Sequence, residues 1–167
     1  MQPQATCKSH LEQFLREHGV DYELQHHPTA YTARGVAASE HVSPRRIAKT
    51  VMVAADGQLV MVVIRASDEL DPARLASALG VAHARLAEEA EFGPALPDCE
   101  VGAMPPFGNL YGLQVFVDMS LMEDETIRFQ AGTHADTICM RYHDFDELVQ
   151  PKMVYVARTP LRPSIFT

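Results

Sequence analysis

Apolar positions along this chain switch between helical and extended spacing, and each switch marks an element. Leu11, Phe14 and Leu15 share one helical face behind Ser9 and Glu12, which have capping-box spacing, and Gly19 follows as a stop. A first helix over residues 9–18 is expected. Residues 20–26 read as extended, with Tyr22 and Leu24 on one side. Thr32 is placed to cap a short helix, and Ser43-Pro44 opens another with proline at its first position. The clearest signal follows: residues 50–55 are rich in β-formers, Asp56-Gly57 is a hairpin turn, and residues 59–64 are apolar without a break. A strand covered on both faces needs such an unbroken run, so this hairpin is expected to form the spine of the core.

Asp71-Pro72 opens a helix carrying Leu75 and Leu79 inward, with Gly80 behind it, and residues 86–92 read as a short acidic helix or turn. Residues 93–109 hold three glycines and four prolines, a density that forbids regular structure. Irregular loops of that length inside a compact domain are usually functional. Three further strands are expected at 113–117, 126–130 and 137–142, then a helix capped by Asp144, running through Leu148 and ended by Pro151. The tail from Lys152 reads as draped or loose. Five or six strands and four or five short helices in mixed order predict a mixed or mainly antiparallel α/β domain rather than a doubly wound parallel sheet. There is no repeat or linker, so residues 1–167 are read as one domain, with its core at 5–150 and a tail at 151–167.

Composition narrows the class. A chain of 167 residues, 47% hydrophobic and 22% charged, can bury a core without metal or disulfide staples. The net charge of −8 argues against nonspecific coating of nucleic acid, whose affinity comes from phosphate neutralisation. It leaves room for a protein that grips only an RNA end, and Arg34, Arg45, Arg46 and Lys49 supply a local basic spot. Cys7, Cys99 and Cys139 are odd in number and form no CxxC, so reduced cysteines in a cytoplasmic protein are expected, without a disulfide framework. The first residues lack the pattern of a secretory signal, and the longest apolar run is too short to span a membrane.

Three places can carry chemistry. Lys49 stands at the entrance of the buried strand; such a lysine is ordinarily solvated, but aimed into a cleft it would hold a phosphate or carbonyl oxygen. The loop Gly102-Ala103-Met104-Pro105-Pro106-Phe107-Gly108 permits close backbone approach, or is simply a rigid turn. His134, in Ala131-Gly132-Thr133-His134 after a strand, can act as base, donor or surface residue. His26 and His27 would face opposite sides of a strand, and no HxxxH or Cys/His ladder exists, so no metal site is expected. No GxSxG elbow is present; Cys139 suits packing, and Cys99, in the irregular loop, is the one cysteine to watch.

Four segments resemble the YbaK/ProX family of trans-editing aminoacyl-tRNA deacylases, which also occurs inserted in bacterial prolyl-tRNA synthetases. They are residues 27–33 (His-Pro-Thr-Ala-Tyr-Thr-Ala), 48–53 (Ala-Lys-Thr-Val-Met-Val) with the following hairpin, Gly102 to Pro106 extended by Phe107-Gly108, and residues 131–138 (Ala-Gly-Thr-His-Ala-Asp-Thr-Ile). They stand in the family's order over about residues 5–150. The resemblance implies a central barrel-like sheet and hydrolysis of the ester between an amino acid and the 3′ end of a mischarged tRNA. It places the family's essential lysine on Lys49 and its substrate-side histidine on His134. Substrate contacts would come from Gly102, Ala103, Met104, Pro106 and Gly108, with Tyr31 and Thr32 beside them. It implies no cofactor, and a synthetase as a further partner. Alanyl and cysteinyl esters of tRNA-Pro are the family's commonest targets, with seryl esters open; Met104 stands where many relatives carry something smaller. A binding module of the same fold and an unrelated small-molecule hydrolase are the competing readings.

Overall fold

The computed structural model describes residues 6–160. The first helix, α1 (Cys7–Glu17), begins two residues before its expected start, because Thr6 caps it. The Thr6 hydroxyl accepts from the Ser9 amide at 3.1 Å, and the Ser9 hydroxyl accepts from the Thr6 amide at 2.7 Å. A threonine–serine pair thus forms the reciprocal cap that Ser9 and Glu12 were expected to form. The chain continues through β1 (Tyr22–His26) and α2 (Ala33–Ser39), whose cap is Thr32, its hydroxyl accepting from Gly35 N at 2.9 Å. After Ser43, one 3-10 turn (Pro44–Arg46) leads into the expected hairpin, β2 (Ile47–Ala55) and β3 (Gln58–Arg65). Asp56 and Gly57 have φ of 47° and 80°, the left-handed pair that a primed turn between twisted strands requires.

The remaining elements are β4 (Glu69–Leu70), α3 (Pro72–Leu79), β5 (Ala84–Leu86), α4 (Glu89–Phe92), β6 (Val115–Asp118), β7 (Thr126–Gln130), β8 (Asp136–Arg141), α5 (Tyr142–Val149), β9 (Lys152–Val154) and β10 (Ala157–Arg158). The expected acidic helix over 86–92 divides, since Leu86 ends β5. In the last helix Arg141 holds the N-cap position without a side-chain cap bond, and Asp144 lies in the first turn.

Eight strands form one mixed sheet in the order β1-β8-β7-β2-β3-β6-β9, with β5 also on β2. The pairs β2–β7, β3–β6 and β6–β9 are parallel; the hairpin, β1–β8, β7–β8 and β2–β5 are antiparallel. The hairpin is the spine, as its unbroken run predicted. Ala48, Met52, Met61 and Val63 pack into a cluster with Leu11, Leu15, Phe107, Phe129 and Phe145. The alternate positions Val53, Val60, Val62 and Ile64 join Leu75, Leu79 and Val156 on the other face. The domain is therefore mixed α/β, with short helices around a central sheet.

Two further expectations fail. Residues 152–158 are ordered: β9 pairs with β6, β10 pairs with β4, and Val156 is fully buried, while the part of that tail beyond residue 160 lies outside the described residues. The buried Asp118 carboxylate holds this return, accepting from Val156 N at 2.9 Å and Ala157 N at 3.0 Å, as well as from the Ser120 hydroxyl at 2.6 Å. Burial alone would raise its pKa, but these hydrogen bonds with that from Ser120 N outweigh it and hold the carboxyl below 3.8. The cysteines are not all reduced either. Cys7 and Cys99, 92 positions apart, are joined in a disulfide with Cα atoms 4.9 Å apart, which leaves Cys139 as the free cysteine.

Candidate functional site

The loop from Cys99 to Gly108 packs against the turn that joins β7 to β8. Glu100 N donates to Gly132 O and Gly132 N donates to Ala103 O, both at 2.9 Å. His134 N donates to the Glu100 carboxylate at 2.9 Å, and His134 Nε2 lies 2.7 Å from Val101 O. A carbonyl only accepts, so Nε2 carries a proton, and in the neutral ring Nδ1 is a bare acceptor. That Nδ1 is buried without a hydrogen-bond partner, on a residue 9% exposed. Gln130 repeats the arrangement: its Nε2 donates to Gly102 O at 3.3 Å, and its buried Oε1 has no partner. Two unsatisfied acceptors thus flank Gly102. Each costs stability unless a donor arrives, a condition common at ligand sites.

Gly102 has φ +85°, the left-handed region that favours glycine, and it sits in van der Waals contact range of the His134 ring. Tyr31, 75% exposed, lies against the His134 ring with centroids 4.9 Å apart. Ala30 N donates to His134 O at 3.0 Å, tying this segment to the same corner. His134, Gly102 and Tyr31 are therefore brought together.

The other loop residues behave differently. Ala103, Met104, Pro106 and Gly108 are buried, and Met104 packs in the main core, so their side chains shape the loop from beneath. Ala103 N donates to Glu100 O at 3.0 Å, and Gly102 N points at the Met104 sulfur at 3.2 Å. Gly102 N is thus open to a ligand, because a thioether is a weak acceptor that a ligand oxygen can displace. Thr32 spends its hydroxyl on the α2 cap.

Lys49 lies on the sheet face opposite Ala48 and lines a cavity of about 560 Å3 with Val51, Ile64, Leu75 and Leu86, and with Glu69, Arg85 and Arg158 at its polar edge. Neither His134 nor Gly102 lines that cavity. Burial lowers the Lys49 pKa, and the Arg34 guanidinium lowers it further, against smaller opposing effects of Asp68 and Glu69. Segment 31–34 connects the two places, with Tyr31 on His134 and Arg34 within electrostatic reach of Lys49. Arg45 and Arg46 stand apart from this pair. They line a hollow with Arg65, Glu123 and Asp124, where acidic neighbours offset their charge. Sequence reasoning missed Gln130 and Glu100, because neither residue type at a strand end or in a loop signals a site until the fold sets it beside His134.

Among the described residues, one grouping of metal-ligand types is tight, Cys7, Asp98 and Cys99, and two of its members are bonded to each other.

A mixed sheet with a glycine loop folded onto a strand-end histidine describes a class, and comparison with known proteins names it. The aminoacyl-tRNA editing domain model matches residues 27–148, and the chain belongs to that family. The Multifunctional Ser/Thr-tRNA deacylase ProXp-y of Escherichia coli strain K12 is 28% identical over 150 residues, covering 87% of this chain and 89% of the relative. The proline–tRNA ligase of Moorella thermoacetica is 31% identical over 94 residues, covering 56% of this chain and 16% of that enzyme. A crystal structure described provisionally as a trans-editing enzyme for prolyl tRNA synthetase superposes with a TM-score of 0.80 at 15% identity, covering 93% of this chain and 99% of the other, which establishes the shared fold. The family and the named deacylase support the enzyme class expected from the sequence, an aminoacyl-tRNA deacylase.

Proposed function

We propose that this protein hydrolyses the ester of a small amino acid misattached to the 3′ end of a tRNA, with His134 and the Gly102 loop at the amino acid and Lys49 with Arg34 at the terminal phosphate or ribose. The observation that carries the proposal is the pair of buried, unpartnered acceptors, His134 Nδ1 and Gln130 Oε1, on either side of Gly102. Tyr31 is the movable cover: an exposed side chain turns quickly, and its departure opens the His134 ring to substrate.

The chemistry asks little of the enzyme. An aminoacyl ester is activated, so positioning and oxyanion stabilisation suffice without a covalent intermediate. Water adds to the ester carbonyl, and the developing oxyanion takes the Gly102 N–H from the Met104 sulfur. His134 Nδ1 accepts from the attacking water or the substrate's amino group. The C–O bond to the ribose breaks, and the ribose oxygen takes up the proton that the attacking water gives up.

The expectation of alanyl or cysteinyl tRNA-Pro remains within this reading. Bare acceptors in the amino-acid pocket reward a side chain that donates, which ranks seryl esters first, as the Ser/Thr specificity named for the Escherichia coli relative also suggests.

The test is deacylation of alanyl-, cysteinyl-, seryl- and threonyl-tRNA by wild type and by Lys49→Ala. Wild type should clear at least one small ester. Lys49→Ala should melt as wild type does, yet lose about a hundredfold in rate. A folded Lys49→Ala with undiminished turnover removes Lys49 from the mechanism. A wild type that leaves every ester intact puts the binding module first.

A further inference from the structure

The disulfide cross-links α1 to the functional loop, and the proposed reaction makes no use of it. We propose that Cys7 and Cys99 form a redox-responsive clasp, which holds the loop in the geometry that positions His134 when oxidised and releases it when reduced.

The placement carries the inference. Cys99 immediately precedes the residues that hold His134: Glu100 takes its amide, and Val101 takes its ring proton. Cys7 lies beneath the other wall of the same corner. An added Cβ on Gly132 would lie 2.6 Å from the Cys7 sulfur, so only glycine lets the clasp pass under residues 131–134. The clasp therefore touches both segments that build the site. When it opens, Met104 and Phe107 keep the far end of the loop in the core beside Leu11 and Leu15, and polar contacts hold its Cys99 end. Cys7 N donates to Asp98 O at 3.1 Å, and the Asp98 carboxylate bonds the Tyr111 hydroxyl at 2.9 Å and His10 Nδ1 at 2.8 Å. These bonds are partly exposed and hold a loop with no strand pairing of its own, the kind of segment that opens locally.

The pair is also reachable. Cys7 is 2% exposed, but Cys99 is only half-buried. A thiolate of a small dithiol attacks the Cys99 sulfur, the sulfur–sulfur bond breaks, and Cys7 leaves as a thiolate that takes up a proton. The second thiol of the reductant then attacks the mixed disulfide and frees Cys99. Two electrons pass to the protein, and the dithiol becomes a cyclic disulfide; a glutathione-class disulfide drives the reverse reaction. In a reducing compartment such a pair serves as a sensor rather than a permanent staple.

The experiment uses the full chain equilibrated in dithiothreitol or in oxidised glutathione. Mass spectrometry after alkylation maps the thiols, zinc content is measured, and hydrogen exchange is followed at the amides of Glu100, Ala103, Gly132 and His134. The expected result is a Cys7–Cys99 peptide in the oxidised sample. On reduction, these amides should exchange about tenfold faster or more relative to the β2 and β3 amides, a ratio that cancels any global loss of stability. Cys7→Ser should behave as the reduced protein in both buffers; if that variant does not fold, the dithiothreitol arm decides alone. Free thiols at both positions in oxidised glutathione would overturn the proposal, and with stoichiometric zinc they would make Cys7, Asp98 and Cys99 a metal site instead. A disulfide whose reduction leaves the exchange ratio unchanged would overturn it as well. Only an activity arm rests on the deacylase reading: kcat/KM should fall with reduction. If exchange responds while neither form hydrolyses any ester, the clasp stands and the deacylase reading fails.

Discussion

At the residue scale, the candidate site is defined by what its side chains lack. His134 and Gln130 each spend a donor on a loop carbonyl and keep an acceptor bare. His134→Ala removes an orienting acceptor and not the oxyanion donor, so its rate should fall by about tenfold, less than for Lys49→Ala, in the same ester assay. Lys49 predicts a pH signature. Its pKa is lowered by burial first and by Arg34 second, so the cation is present below that lowered value and lost as pH rises through it. Activity should therefore fall on an alkaline limb below the ordinary lysine value of 10.5. Arg34→Ala removes one lowering cause, so its limb should move to higher pH; an unmoved limb would detach Lys49 from the pH dependence.

At the element scale, the return of the chain after α5 hangs on one carboxylate. Asp118 Oδ1 accepts the two amides that lead into β10 while Oδ2 accepts from Ser120 N and Oγ, so an asparagine keeps one acceptor and turns N–H groups toward the other donors. Asp118→Asn should cost about 1–3 kcal/mol in urea unfolding. Because the folded-state pKa is depressed, the carboxylate's contribution is full above the unfolded value and lost as pH falls through the folded one. The gap between wild type and variant should close on acidification below 3.8. The reading of this tail as loose failed for a physical reason: residues 152–158 are too short and mixed to show a period, and they become strands only because β4 and β6 present edges to them.

At the scale of the whole molecule, a net charge of −8 leaves room for only a few phosphate contacts. If Lys49 and Arg34 are the two that meet phosphate, log K against log salt for a single-stranded 3′ end should have a slope of about −1.4, from two contacts at roughly −0.7 each. A slope several times steeper would require a second basic surface. The cross-link closes 92 residues of chain, and its removal by reduction should lower stability by about 2–4 kcal/mol, read by urea unfolding of the two forms.

By itself the sequence determined what local chemistry controls. The hairpin was legible because Asp56-Gly57 and an apolar run leave a covered strand pair few alternatives, and the irregular loop was legible because glycine and proline exclude regular structure there. The four family segments likewise named the class. Tertiary structure alone decided what depends on neighbours far along the chain. It set Cys99 against Cys7, Gln130 and Glu100 around His134, and Asp118 under the returning strand, pairings that no local period encodes. It also turned Met104 into the core and put Lys49 on the opposite face of β2 from Ala48, because a strand alternates its side chains and only the sheet order says what each face meets.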